Sequence, residues 1–446
     1  MQYFRFGIPA KSALIFVVLL AALSFTAEAQ DTPSDQNIFA YLNEHFEHSL
    51  RILSFGIYQD PAQTTQNPGN AFLKLPRYRA DLEVRPDIAL NLERLHLSVK
   101  PRLKLQRRQW EEDVRSGEKQ WDVEGFVNEW LFRVRVADGL FFSYGRENLQ
   151  WGPAYLLSPS NPFFRDNGRS NPKQEVPGMD FARIVWLPGA AWTLSLIANT
   201  EEGRQPISPD LFQRTYALKA DYTGQESYGS LVLSHREGDR TRLGMFGGWT
   251  ATDALLLYGE GAFARGAGGL YPRTDDGPIG FGLYPVLEQS SSLEATVLLG
   301  ASYTLELGPT LTLEAVHDSP GYNEGEADLF YRLRGSAAEA WEISGPGRAL
   351  AARTLAQTSD PGLRLFRRNY LMFQVQENDI RDLLNLTFRW TQNLDDHSGQ
   401  FISMAEVFLG DHLGLFSIGT VNAGGGETEF GSILDLQWMI GLEYTF

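Results

Sequence analysis

The last eleven residues, Leu436-Gln437-Trp438-Met439-Ile440-Gly441-Leu442-Glu443-Tyr444-Thr445-Phe446, put an apolar side chain at every second position. Leu436, Trp438, Ile440, Leu442, Tyr444 and Phe446 share one parity, and the residues between them are mostly polar or small. Successive side chains of an extended chain point to opposite faces, so a period of two describes a strand with one oily and one wet face. Upstream, Tyr78, Ala80, Leu82 and Val84 alternate with Arg77, Arg79, Asp81, Glu83 and Arg85. Leu95, Leu97, Val99, Leu103 and Leu105 are interleaved with Arg94, His96, Ser98, Lys100, Arg102 and Lys104, and Trp130, Phe132, Val134 and Val136 frame Arg133 and Arg135.

A soluble sandwich also alternates. Three further features separate the readings. Aromatic residues gather at the strand ends of the apolar face, as in the girdles of a barrel at a lipid interface. Charges and long polar side chains occupy the other face, which suits a wet lumen. Connections after odd-numbered segments are mostly long and polar, spanning 60–76, 106–120, 146–179, 200–214, 265–292 and 318–368, whereas those after even ones are tight, as in Ala137-Asp138-Gly139, Gly308-Pro309 and Gly410-Asp411-His412.

Eighteen segments begin near Leu50, Arg77, Leu95, Val127, Leu140, Phe181, Ala191, Thr215, Ser230, Arg242, Ala254, Leu293, Thr310, Asn369, Leu383, Gln400, Leu413 and Ile433. Lipid offers no partner to backbone N–H and C=O, so a spanning sheet must close on itself. The implied fold is all-β: a transmembrane antiparallel β-barrel of about 18 strands, with long extracellular loops and short periplasmic turns. Sixteen strands also fit, because the Leu50 and Ser230 segments alternate weakly.

Arg5 and Lys11, the apolar run from Ala13 to Phe25 and Ala27-Glu28-Ala29 have the layout of a secretory signal peptide over 1–29. Its removal takes the net charge from −16 to −17, by loss of Arg5, Lys11 and Glu28. Residues 30–49 are expected to form an N-terminal periplasmic segment and 50–446 the barrel; from Asn37 to Leu50 the helical spacing of Phe39, Leu42, Phe46 and Leu50 suggests a short periplasmic helix or a plug-like N-terminus. Residues 337–357, rich in Ala, Leu, Glu and Arg around Gly345-Pro346-Gly347, are expected to form one or two short helices in the longest loop. A loop of that length is expected to fold inward and narrow the pore.

The chain has no cysteine, which removes thiol catalysis and zinc–thiolate sites. Its negative charge argues against nucleic acid as a partner. No hydrolase motif appears, and His45 and His48 supply only two of the ligands a metal site needs, so no enzyme activity, cofactor or metal is expected. The distinctive electrostatic feature is a basic inner face on the early strands: Arg77, Arg79, Arg85, Arg94, Lys100, Arg102, Lys104, Arg133 and Arg135. It reads equally as an electropositive track for anions and as a set of ion-pair ladders. Asp81 and Glu83 interrupt it, and Asp318, Glu324, Glu326, Asp328, Glu339 and Glu342 of the longest loop are candidate partners. The proline-rich run from Tyr144 to Phe163 reads either as turn chemistry with an aromatic anchor or as an inward loop placing Arg146, Glu147 and Trp151 at a constriction.

Gly145-Arg146-Glu147-Asn148-Leu149-Gln150-Trp151-Gly152, followed by Ser160-Asn161-Pro162, resembles a Gly-Arg-x-x-Leu-x-Trp-Gly segment found in porin-like barrels of the Gram-negative outer membrane. The Trp-Gly-Pro with Leu-Ser-Pro-Ser-Asn is also similar to capsule-assembly barrels, without their doubled Trp, and the arginine-lined lumen resembles alginate-export barrels. The C-terminal strand ending in Phe446 resembles the signal read by the barrel-insertion machinery. These resemblances imply an outer-membrane porin-like channel embedded in lipid and lipopolysaccharide, and the basic inner face adds the expectation that it passes small anionic solutes. The alternative they leave open is a surface barrel that binds, assembles or exports a polysaccharide.

Overall fold

The computed structural model describes residues 41–446 apart from 43, 113–114, 205–211, 267, 275–280, 286–291, 344 and 346. The expected signal segment and residues 30–40 lie outside the described residues. The chain opens with β1 (Phe46–Pro61), β2 (Tyr78–Asn91), β3 (Leu95–Gln109), β4 (Lys119–Ala137), β5 (Leu140–Glu147), β6 (Met179–Gly189) and β7 (Trp192–Glu201). It continues through β8 (Thr215–Thr223), β9 (Ser227–Arg236), β10 (Thr241–Thr252), β11 (Leu255–Arg265), the short β12 (Leu270–Thr274) and β13 (Phe281–Pro285), β14 (Leu293–Thr304) and β15 (Thr310–Asp318). After helices α1 (Glu324–Glu342) and α2 (Gly347–Ser359) come β16 (Asn369–Ile380), β17 (Leu384–Asn393), β18 (Gly399–Leu409), β19 (Leu413–Ala423) and β20 (Leu434–Thr445).

Apart from the β12–β13 hairpin, these make one antiparallel sheet of 18 strands, each bonded to its neighbours along the chain. Closure comes from β1 pairing with β20, in a register that runs from Arg51 opposite Thr445 to Tyr58 opposite Trp438. Closure leaves no strand edge unpaired, which is what a sheet needs where no water can reach its backbone. Among the described residues no helix is long and apolar enough to cross a membrane. Outward leucines such as Leu218 and Leu299 are more than half exposed. Outward aromatics form two rows, with Tyr78, Trp121 and Trp438 toward the end that carries the long connections and Trp192, Tyr222, Trp249 and Tyr303 toward the end with the tight turns.

Where the alternation read weakly, the structure supplies the reason. On β1 the inward residues Leu53, Phe55 and Ile57 are themselves apolar, packing with Ile402, Phe416, Ile418 and Met439. On β9 the inward Val232 lies beneath Phe163 and Phe164, which turns Leu231-Val232-Leu233 into an unbroken apolar run. The lumen is therefore wet only in part, because a loop packs inside it. β1 begins at Phe46, so Phe46 and Leu50 belong to a strand and not to the expected helical segment. β4 begins at Lys119, eight residues before the expected Val127. Register slips opposite Lys100 and Pro101, which pair with Glu129 and Val127 and leave Asn128 as a bulge. A bulge reverses the parity of the face, so Trp121 and Val123 point outward at odd positions while Trp130 and Phe132 do so at even ones.

The 319–368 connection holds both expected helices, with the first longer than the composition suggested. Asn323 and Glu326 cap α1 reciprocally, the Asn side chain accepting from Glu326 N and the Glu side chain from Asn323 N. Phe330, Tyr331 and Leu333 of α1 pack with Tyr271, Leu283 and Tyr322, and Ala351 and Leu355 are buried in α2. Arg334 reaches Gln66 O at 3.0 Å and so ties the helices to the 62–77 connection.

Candidate functional site

Residues 148–178, between β5 and β6, turn back into the barrel and touch the wall nearly all the way round. Trp151 and Phe163 meet edge to face, and Phe163 and Phe164 pack on Phe181, Ile197, Ala217 and Val232 of β6–β9. Asn161 holds the bend, its side-chain oxygen accepting from Phe163 N and Phe164 N while its amide donates to Leu149 O. This is the loop whose prolines and Ser-Asn-Pro read as turn chemistry, and both readings apply: the turns preorganise a segment that lies inside.

Two buried carboxylates on one side fasten it. Glu260 of β11 accepts from Ser158 Oγ at 2.5 Å and from Ser160 N and Oγ at 3.0 and 2.7 Å. Glu314 of β15 accepts from Tyr155 N at 2.6 Å, Leu156 N at 2.9 Å and Tyr258 Oη at 2.7 Å. Neither has a cation within ion-pair distance among the described residues. Charge-assisted bonds of this kind are the strong ones. Gly152 sits at φ +88°, a conformation that favours glycine, and a Cβ there would run into the Glu260 carboxylate. That gives the Trp-Gly pair its local reason.

The opposite side of the loop is held by ions. Lys173 binds Glu406 of β18 and Glu443 of β20, with its ammonium 5.2 Å from the Phe416 ring. Glu175 takes a two-pronged bond from Arg102 at 2.8 and 2.7 Å. Arg102 also meets Asp87 at 2.8 Å and donates to Pro86 O and Pro101 O, both at 2.8 Å. β2–β3 pairing is interrupted between Val84–Leu103 and Ile88–Val99, where each strand carries a proline that cannot donate, and the guanidinium fills the gap.

The expected basic wall exists, but it is laced with carboxylates. From the loop end toward the turn end run Arg77, Arg79 and Arg108, Lys104, Arg85 and Arg102, Lys100, Arg133 and Arg135. All but Arg133 have a carboxylate within 4.0 Å. At Lys104 the partners are Asp81 and Glu83, at Arg85 Glu83, and at Lys100 Glu129, 3.1 Å away. Glu175, Glu112 and Glu93 come from connections, and the other carboxylates come from strands. None of these pairs uses Asp318, Glu324, Glu326, Asp328, Glu339 or Glu342, because a different loop, 148–178, lies against this wall.

Three candidates stand at the end of this wall or outside it. Arg94 is exposed in the turn between β2 and β3 and lies outside the lumen wall. Arg77 precedes β2 and bridges Asp60 and Glu112 at the rim. Arg146 shares the outward parity of Phe142 and Tyr144 and pairs with Asp180 at 2.6 Å, because β5 still alternates there and the Gly-Arg step turns the side chain out. Glu147 points inward to Arg183 at 2.9 Å. Trp151 lies within the lumen, with its Nε1 donating to Ser160 Oγ at 3.2 Å and the Lys219 ammonium 5.3 Å from its ring. Sequence reasoning missed Glu260 and Glu314; for Glu260 the available signal was a carboxylate at an inward position of a strand otherwise made of apolar and small residues.

The loop divides the remaining space. A cavity of about 170 Å³ lies between it and the basic wall, lined by Arg79, Lys104, Glu124, Lys173 and Arg204 among others. One of about 510 Å³ lies against β16–β19, lined by Gln374, Gln376, Asn385 and Thr387.

No protein-family model and no curated protein sequence matches the chain. Solved barrels do. OccAB1 of Acinetobacter baumannii is 11% identical, with a TM-score of 0.55 over 90% of this chain and 97% of that one. The outer membrane protein OprD of Pseudomonas aeruginosa is 10% identical, with a TM-score of 0.53 over 90% and 94%. OccK11 (OpdR) of the same organism is 13% identical, with a TM-score of 0.52 over 90% and 96%. At these identities the likeness is one of fold, extending over nearly the whole of each chain. The resemblances to capsule-assembly and alginate-export barrels have no counterpart in these three structures.

Proposed function

We propose that the chain is a porin-like channel of the Gram-negative outer membrane that passes small anionic solutes past its inward loop, without chemistry. An oily outer face with two aromatic rows suits a bilayer, and the long connections then face the cell exterior. Likeness of fold to an outer membrane protein supports the same reading.

One observation carries the anion preference. At Arg79, Lys104 and Lys100 the cation stands in front of its carboxylate: Arg79 and Lys104 are 26% and 27% exposed, whereas Asp81 behind them is fully buried. At Arg77, Arg108 and Arg135, toward the two ends of the wall, the carboxylate is the more exposed partner. Lys100 is more exposed than Glu129, and Arg133 is exposed with no ion pair among the described residues. A solute in the lumen meets the cation first, and low-dielectric walls focus that field. Arg85 and Arg102, by contrast, are buried and serve the wall and the loop.

In a planar bilayer, the purified protein under a salt gradient should give a reversal potential on the anion side. Lys100→Glu with Arg133→Glu should move it toward cations, while Arg94→Glu, in the turn, should leave it nearly unchanged. Reversal potentials that do not differ among the three proteins would overturn the anion assignment.

A further inference from the structure

Across the lumen from the basic wall, a second group of guanidinium side chains surrounds a separate space. A cavity of about 220 Å³ opens at the loop end, between the inward faces of β8–β11, β14 and β15 and the two long connections. Arg165, Arg236, Arg240, Arg242 and Arg364 line it. Arg165 is paired with Asp360 at 2.9 Å, and Arg240 lies 3.9 Å from Asp239. Arg236, Arg242 and Arg364 have no carboxylate within ion-pair reach among the described residues.

Main-chain carbonyls aim two of these groups. Arg242 Nη2 donates to Pro159 O at 2.7 Å, and Arg364 donates to Ser158 O at 2.8 Å and to Asn161 O. Carbonyl oxygens fix the direction of a guanidinium but bring no full charge to balance it, and like charges brought together away from water repel. Each guanidinium has five N–H donors, so donors remain after these bonds.

The acidic residues of the same cavity impose a second demand. Glu294 is satisfied by Ser292 Oγ at 3.0 Å and Ser319 Oγ at 2.6 Å, and Asp239 lies by Arg240. Asp318 accepts from Thr296 Oγ1 at 2.5 Å with one oxygen, while its other oxygen, Oδ2, is buried with no donor among the described residues. An orphaned buried acceptor is costly and calls for a donor. A fully deprotonated anion would be repelled there. An oxyanion that keeps a proton answers both demands, accepting from the arginines and donating its own O–H to Asp318.

We propose that this cavity binds a hydrogen-phosphate group, with Arg242 and Arg364 as charge partners and Asp318 accepting from P–OH. The volume is below the roughly 300–1,000 Å³ of pockets for drug-sized ligands, so it suits free phosphate, which keeps a proton near neutral pH. The binding is independent of the channel reading, since it requires no solute to cross.

The test uses the full-length protein in detergent, titrated calorimetrically at matched ionic strength with inorganic phosphate, glycerol phosphate, sulfate and chloride. Phosphate should bind, and sulfate, which has no proton to donate near neutral pH, should bind at least about tenfold more weakly, the worth of one charge-assisted bond. Glycerol phosphate, a monoester whose second pKa of about 6 leaves it mostly without a P–OH near neutral pH, should also bind more weakly than phosphate; glycerol phosphate binding more tightly than phosphate would count against Asp318 as acceptor. Asp318→Asn, which replaces the acceptor oxygen with a donor, should erase the preference over sulfate. Arg236→Gln removes an exposed rim charge that anchors nothing and should weaken phosphate binding severalfold in a normally folded barrel. Sulfate binding as tightly as phosphate, phosphate binding no better than chloride, or an Arg236→Gln protein that binds phosphate undiminished would overturn the proposal.

Discussion

On the β11 and β15 side, the inward loop is held by carboxylates that meet only neutral donors; on the β2, β3, β18 and β20 side it is held by ion pairs. Glu260 and Glu314 each gather three N–H or O–H groups. Lys173 and Glu175 each meet charges of the opposite sign. The two anchorages fail differently. Removing a lone carboxylate orphans its donors, whereas removing one member of an ion pair strands a charge. A wall can thus fix one limb of a loop by geometry and leave the other responsive to salt and pH.

The largest effect is expected at the neutral anchorage. Glu314→Ala leaves Tyr155 N, Leu156 N and Tyr258 Oη without their acceptor, at about 1–3 kcal/mol for each group that stays buried. The loop should leave the wall near 155–160, and single-channel conductance should rise severalfold. Glu260→Ala should act in the same direction, with Ser158 and Ser160 released. Unchanged conductance in both variants would mean that this limb does not narrow the passage, and the comparison would lose one side.

At the ionic anchorage, Arg102→Met removes the two-pronged partner of Glu175 and leaves Glu175 and Asp87 sharing Arg51, 4.0 and 3.3 Å away. Breaking a buried pair costs about 3–5 kcal/mol, whereas replacing both members with apolar groups is often nearly neutral. Arg102→Met should therefore lower the unfolding midpoint clearly, and Arg102→Met with Glu175→Leu should recover most of the loss. If the double variant is no better than the single one, Arg102 acts mainly through Pro86 O, Pro101 O and Asp87.

The difference between the anchorages also explains what the sequence disclosed. Strand number, the alternation of long and tight connections and the basic face of β2–β4 were legible because each rests on local periodicity. The loop's partners were not, since Ser158 and Glu260, or Tyr155 and Glu314, are brought together only by closure of the barrel. Arg146 was misplaced because its parity follows the outward Phe142 and Tyr144, while the motif around it drew attention toward the lumen. β4 was truncated because a bulge at Asn128 reverses the face, so that a period of two read forward from Lys119 fails midway. A similar blindness hid the packed interior, because apolar inward residues such as Leu53 and Val232 look like lapses in the pattern until the loop beneath them is known.

The smallest expected effect concerns pH, and here Glu175 can be set against Glu429 of the 424–433 connection. Burial pushes the Glu175 carboxyl up, but the Arg102 fork, with Arg85 and Arg51 nearby, outweighs it and holds the group below the ordinary carboxylate range. A depressed folded value contributes stability above the unfolded value, which is lost as pH falls through the folded one. Glu429 is the reverse case. Burial, with the Asp396 charge adding to it, pushes its carboxyl up to about 7, although Tyr370 Oη and Asn393 donate to it at 2.6 and 2.8 Å. Its contribution is complete below the unfolded value and fades as pH rises through about 7. Acidification from pH 8 toward 5 should then tighten residues 424–431, and further acidification below the ordinary carboxylate range should loosen residues 173–178. Amide exchange, corrected for its intrinsic pH dependence, should show opposite trends in the two segments. Glu429→Gln should flatten the trend at 424–431 between pH 5 and 8 and leave 173–178 as it was. Protection that changes in the same direction in both segments would show that the barrel responds to pH as a whole, and the contrast between its anchorages would not extend to protons.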